Sequence, residues 1–214
     1  MKQIFEYFLI MLFLFVDTKS LSAQGSQSLN PVDGQKNEDI IQKFVKDSLQ
    51  MDDIVFKYGL FIPENPKPGI KYPLVLAIHG GEYYNVNFAE FMSTSPFILA
   101  TVWATPELQS RYPCYIFAPH LDNNLVDNSG NCFMWEDSLV IIFIDTVLND
   151  LITKEQVDTN RIYLTGHSVG GEATLLLPQL LKHKIAAISP MSPALWPAFV
   201  EQHLSKETYK NLPD

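Results

Sequence analysis

Four short apolar runs, each closed by glycine or proline, do most to set what this chain can fold into. They are "YPLVLAIHGG" from Tyr72, "YPCYIFAPH" from Tyr112, "RIYLTGHS" from Arg161 and "KIAAISPMSP" from Lys184. A strand with one wet face alternates apolar and polar residues, whereas a run that is apolar throughout has both faces covered. Helical patterns lie between these runs. In "DSLVIIFIDTVLNDLITKEQ", Val140, Ile144, Val147, Leu148 and Leu151 fall on one helical face. "GGEATLLLPQLLKH" is rich in helix formers, and Pro178 is expected to disturb that helix about two turns in. Earlier, "IVFKYGLFIP" alternates like a strand and ends in the proline-glycine turn "ENPKPG". Strands alternating with helices predict an α/β domain: a mostly parallel sheet with helices on both faces, and Leu74–Ile78, Tyr115–Ala118, Ile162–Leu164 and Ala186–Ile188 inside. At 214 residues and 47% hydrophobic composition, one such domain is expected.

The first residues read differently. Lys2 precedes an apolar run from Ile4 to Val16, and Ser22-Ala23 supplies small residues before Gln24. That is the layout of a cleaved secretory signal over residues 1–23, and it predicts a secreted or periplasmic protein. The run would cover roughly 20 Å as a helix, short of a ~30 Å hydrocarbon layer, so a membrane span in the mature chain is not expected. Residues 24–50 are a polar lead, in which "IIQKFVKDSL" reads as a linker or a short peripheral helix, and the folded domain is placed at 51–214. The formal net charge of −9 argues against a nucleic-acid partner. Cys114 and Cys132 fit either a disulfide or two free thiols. The five histidines have no metal-ligand spacing, so no metal is expected.

Chemistry concentrates at Gly166-His167-Ser168-Val169-Gly170, a G-x-S-x-G set between an expected strand and an expected helix. A tight strand-to-helix turn strains the serine backbone and lifts its hydroxyl above the sheet edge, and flanking glycines give clearance, extended here by Gly171. The plainer reading is a Gly-Ser turn with Ser168 as an ordinary helix cap. A serine hydroxyl is protonated at neutral pH, so acyl transfer also needs a base and an oxyanion site. The glycines after His79 close an earlier buried strand, where a backbone N–H can face a developing oxyanion together with that of Val169. His79 itself reads as structural.

Taken together, "FKYGLFIPENPKPGIKYPLVLAIHGG", "YPCYIFAPH", Trp135, "VDTNRIYLTGHSVGGEA" and "IAAISPMSP" resemble secreted α/β-hydrolases of the polyhydroxybutyrate-depolymerase and feruloyl-esterase-like group, also called predicted peptidases. The resemblance covers about Val55 to Pro193. It implies an α/β-hydrolase fold, hydrolysis of carboxylic esters, often acyl groups on extracellular polymers, and no cofactor. Carried over by position, Ser168 is the nucleophile, and Val169 and Gly81 are the oxyanion donors. "EYYNVNF" replaces the glycine and arginine usual after the His-Gly corner, so the acyl pocket differs. Tyr83, Tyr84 and Trp135 are candidates to line it.

In this fold the triad acid and histidine follow later strands, in the order Ser, Asp or Glu, His. After Ser168 come only Glu172, Glu201, Glu207 and Asp214, with His183 and His203, and none follows a further expected strand. The sequence therefore reads as a serine ester hydrolase represented by an incomplete chain that lacks the last strands. A serine peptidase of prolyl-oligopeptidase type and a non-catalytic remnant are the alternatives.

Overall fold

The computed structural model describes residues 39–93, 98–197 and 200–201. The expected signal over 1–23, most of the polar lead, and His203, Glu207 and Asp214 lie outside the described residues.

Six strands form one sheet: β1 (Val45–Met51), β2 (Ile54–Phe61), β3 (Tyr72–Ile78), β4 (Tyr115–His120), β5 (Val157–His167) and β6 (Ala187–Met191). Their order is β1-β2-β4-β3-β5-β6. β1–β2 and β2–β4 pair antiparallel, while β4, β3, β5 and β6 run parallel. β3 and β4 are buried along their whole length, as their unbroken apolar runs require.

Alternation along β3 divides the interior into two layers. Leu74, Leu76 and Ile78 join a core filled by Phe143, Ile144, Leu148 and Leu177, residues of the two long helices α4 (Ser138–Lys154) and α5 (Val169–Leu180). Val75 and Ala77 face the other way, onto Phe91, Met92, Ala100 and Ala104. That face is covered by two short helices, α1 (Phe88–Phe91) and α2 (Ile98–Thr101), by Ala104 just ahead of a third, α3 (Pro106–Arg111), and by Ile41 and Phe44. All five apolar positions assigned to one face of α4 are buried. Pro178 lies inside α5, which ends two residues later, with Leu181 N–H bonded to Leu177 O at 2.9 Å.

Two sequence readings are corrected, and the open choice for the cysteines is decided. "IIQKFVKDSL" gives one helical turn and then β1, paired in register with β2 from Val45↔Leu60 to Met51↔Ile54. The sheet thus begins ahead of residue 51, because an edge strand that pairs through its backbone can carry polar side chains. Ala186–Ile188 are only half-buried, since among the described residues β6 is the sheet's other edge. Both cysteines are free, Cys114 buried and Cys132 exposed. Cys114 precedes β4, and Cys132 touches Asn123 O beyond its far end, so six strand residues, about 20 Å, separate them, well past disulfide reach.

Candidate active site

Ser168 sits between the end of β5 and the start of α5, with φ 54° and ψ −118°. A positive φ is costly for a residue with a Cβ. The backbone around it explains how it is held. Ser168 N–H donates to Met191 O at 3.0 Å, and Ser168 O accepts from Glu172 N at 3.0 Å and Ala194 N at 3.1 Å. The segment after β6, itself bent through Ser192 at φ 42°, therefore braces the turn from below. Sequence reasoning missed this brace; its signal was the proline pair in "SPMSP", which marks a turn but not what the turn supports.

The glycines flank a close approach. A Cβ on Gly170 would meet Ile78 O and lie 2.5 Å from His79 O, so no side chain fits between α5 and the end of β3. One on Gly166 would collide with the Gly170 carbonyl. Gly171 is equally confined, against Met191 O. The sheet order places β3 beside β5, and this brings the His79-Gly80-Gly81 corner to the start of α5. A Cβ on Gly81 would be 3.3 Å from Val169 Cγ2. Gly81 opens a 3-10 turn (Gly81–Tyr83) and Val169 opens α5. The first N–H groups of helical turns have no intrahelical acceptor, and those of Gly81 and Val169 are of this kind.

His167, the last residue of β5, is exposed, and its Nδ1 lies 3.3 Å from Glu82 Oε1. This pair links the serine turn to the glycine corner. His79 is buried as expected of a structural residue. Nδ1–H donates to Gly80 O at 2.8 Å and Nε2 accepts from Leu121 N at 3.0 Å, which fixes one neutral tautomer. Burial pulls its pKa down to about 3. Tyr84 and Trp135 do not line an open wall. Both are buried in the core, edge-on to the His79 ring at 5.5 and 4.8 Å, and only Tyr83 is half-exposed. Aromatic residues beside a strand end are drawn into the core by the large apolar area they bury.

No hydrogen bond to Ser168 Oγ is present among the described residues. Glu172 is half-buried on α5, where burial and then the charge of Glu136 raise its pKa. At the far end of α5, next to His183, the Lys182 backbone N–H donates to the buried Asp145 carboxylate at 3.1 Å. Among the described residues no group of His, Cys, Asp and Glu could hold a metal ion, and no helix is long and apolar enough to cross a membrane.

This sheet and turn are those of the α/β-hydrolase fold, and solved structures agree. A thermostable esterase superposes with a TM-score of 0.60 at 27% identity, over 76% of this chain and 44% of that one. An S-formylglutathione hydrolase from Staphylococcus aureus matches at 12% identity and a TM-score of 0.51, over 78% of this chain and 66% of that one. The substrate-bound fluorophosphonate-binding serine hydrolase F of the same organism matches at 13% and 0.51, over 79% and 64%. At these low identities the last two bear on the fold only. This chain spans less than half the length of the thermostable esterase. No protein-family model and no curated protein matches it.

Proposed function

We propose that this chain carries the nucleophile and oxyanion half of a serine carboxylic-ester hydrolase. The observation that carries the reading is the strained Ser168 turn at the head of α5, with the Gly81 corner packed against Val169 beside it. The 27% identity to a thermostable esterase supports it. Ser168 Oγ attacks the ester carbonyl carbon as its proton passes to a base, and the carbonyl oxygen, now an anion, lies on the Val169 and Gly81 N–H groups. The C–O bond to the alcohol then breaks, and the alcohol leaves with the proton. Water cleaves the acyl-serine in the same manner, releasing the acid and restoring the hydroxyl. Supply of the base and acid from outside the described residues, a secretory signal ending near Gln24, and esters of extracellular polymers as substrates all belong to the same proposal.

A second reading, a chain that is not catalytic as it stands, is favoured by the lack of any partner to Ser168 Oγ among the described residues. Removing the base from a serine hydrolase leaves about 10³–10⁴ over water, with ~10⁴–10⁶ lost in turnover. The test is hydrolysis of a small acetyl ester by the 214-residue chain, by a version lengthened with the sequence encoded downstream, and by Ser168→Ala in each. The expected result is residual activity in the short chain and at least a ~10³-fold gain on lengthening that Ser168→Ala abolishes. Full activity of the short chain that His203→Ala removes would instead make His203 the base, and activity indifferent to Ser168→Ala would sink the nucleophile assignment.

A further inference from the structure

The β3–β5 ladder ends at Ile78↔Gly166. Past that point the corner of residues 79–82 and the turn of residues 167–169 leave the sheet side by side, and a nucleophilic Ser168 asks more of them than packing. A carbonyl oxygen resting on the Gly81 and Val169 N–H groups is held only while the two keep their places, and a displacement of about 1 Å can cost ~10²-fold in rate. The corner is lightly built. Its 3-10 turn has no side-chain cap, and the hydrogen bonds that close it, Tyr83 N–H to Gly80 O and Tyr84 N–H to Gly81 O, are both 3.2 Å. His79 Nδ1–H holds Gly80 O at 2.8 Å, but that bond stays within the corner. Among the described residues one polar contact crosses from the corner to the turn: Glu82 Oε1 with His167 Nδ1 at 3.3 Å.

Gly80 shows how room is made for that contact. Its φ of −83° and ψ of 175° suit any residue, so backbone conformation does not call for glycine there. Space does. The three nearest neighbours of a Cβ on Gly80 would all be atoms of the Glu82 carboxylate group, with Cδ at 2.8 Å and Oε2 closer still. The Glu82 side chain is thus folded back over Gly80, into the volume a side chain at position 80 would take, and from there it reaches His167. Both partners are about half exposed, Glu82 at 44% and His167 at 47%. An exposed pair adds little to overall stability, which leaves the placement of the corner as what this one can govern.

We propose that Glu82 and His167 are positioning residues: their contact, admitted by Gly80, holds the Gly81 N–H in place beside the head of α5 while the acyl oxygen carries its negative charge. The proposal rests on the serine-hydrolase reading. Its test is the rate at which a fluorophosphonate labels Ser168 of the 214-residue chain, read by mass spectrometry, with the melting temperature measured in parallel. In that reaction Ser168 Oγ loses its proton, bonds to phosphorus and expels fluoride, and the phosphoryl oxygen stands where the carbonyl oxygen would, so one event per molecule is enough. Glu82→Ala, His167→Ala and Gly80→Ala are each expected to slow labelling ~10-fold at unchanged melting temperature. Glu82→Ala combined with either of the others is expected to be no slower than the single changes, since all three remove the same contact. Glu82→Gln, still able to pair with the imidazole, is expected to stay within ~2-fold of the unaltered chain. Should Gly80→Ala not fold, the Glu82 and His167 variants decide alone. Rates indifferent to Glu82→Ala and His167→Ala, losses that multiply in the double variant, or a Glu82→Gln as slow as Glu82→Ala would each overturn the proposal and leave the hydrolase reading standing. Labelling absent from the unaltered chain, or unchanged by Ser168→Ala, would overturn the hydrolase reading and this proposal with it.

Discussion

At Ser168 a positive φ and a Cβ coexist only because the surrounding backbone insists on it, through Met191 O and Ala194 N–H. Strain of this kind costs of order 1–3 kcal/mol, and glycine escapes it. Ser168→Gly should therefore raise the unfolding free energy by about 1 kcal/mol or more while removing the hydroxyl. Gly170→Ala should do the opposite, destabilising by about 2–4 kcal/mol, because its methyl would enter the carbonyls of Ile78 and His79. Chemical denaturation of the two variants checks both signs, and a destabilised Ser168→Gly would mean that the turn stores no strain. The position of Ser168 was legible from its glycines because close approach leaves only glycine able to fit. The Tyr84 and Trp135 assignments were not, since an aromatic side chain reads the same in a wall and in a core until its neighbours are known. The Glu82–His167 pair was illegible for a similar reason: it joins residues 85 positions apart through sheet order alone.

Among the elements, β3, β4, β5, α4 and α5 were legible because each buries a long stretch with a single period. β1 was not. Its "VKDSLQM" carries mostly exposed side chains, so the pairing with β2 comes from backbone hydrogen bonds that leave little mark on composition. The short helices α1–α3 were missed too, each being four to six residues long and held by packing more than by propensity. The cost of misplacing the domain start is measurable. Phe44 packs on Phe61 with ring centroids 5.5 Å apart, and Ile41 lies beside it in the same core. A protein beginning at residue 51 loses both, and β1 with them, so it should be less stable than one beginning at residue 39 by at least the ~3–5 kcal/mol of a Phe→Ala change. Equal urea midpoints for the two would show that β1 and its preceding turn are dispensable.

For the whole molecule, two buried histidines tie stability to pH. Burial lowers His79 to about 3 and His120 to about 4, although Asp122 opposes the shift at His120. Below pH ~6.5 the unfolded chain protonates these rings and the folded one does not, so stability falls as pH drops from there toward the folded values. Two protons set a limit of about 3 kcal/mol per pH unit. Unfolding free energy should be flat from pH 8 to 7 and decline between pH 7 and 5, above the range where carboxylates titrate; a level profile there would mean that both rings are already charged in the fold. The separation of the two thiols has a practical corollary. Burial pushes Cys114 up to about 12, whereas Cys132 is exposed and bridges Val126 in the loop after β4. A maleimide dye would therefore have a single address on the unaltered chain, in the loop that follows β4.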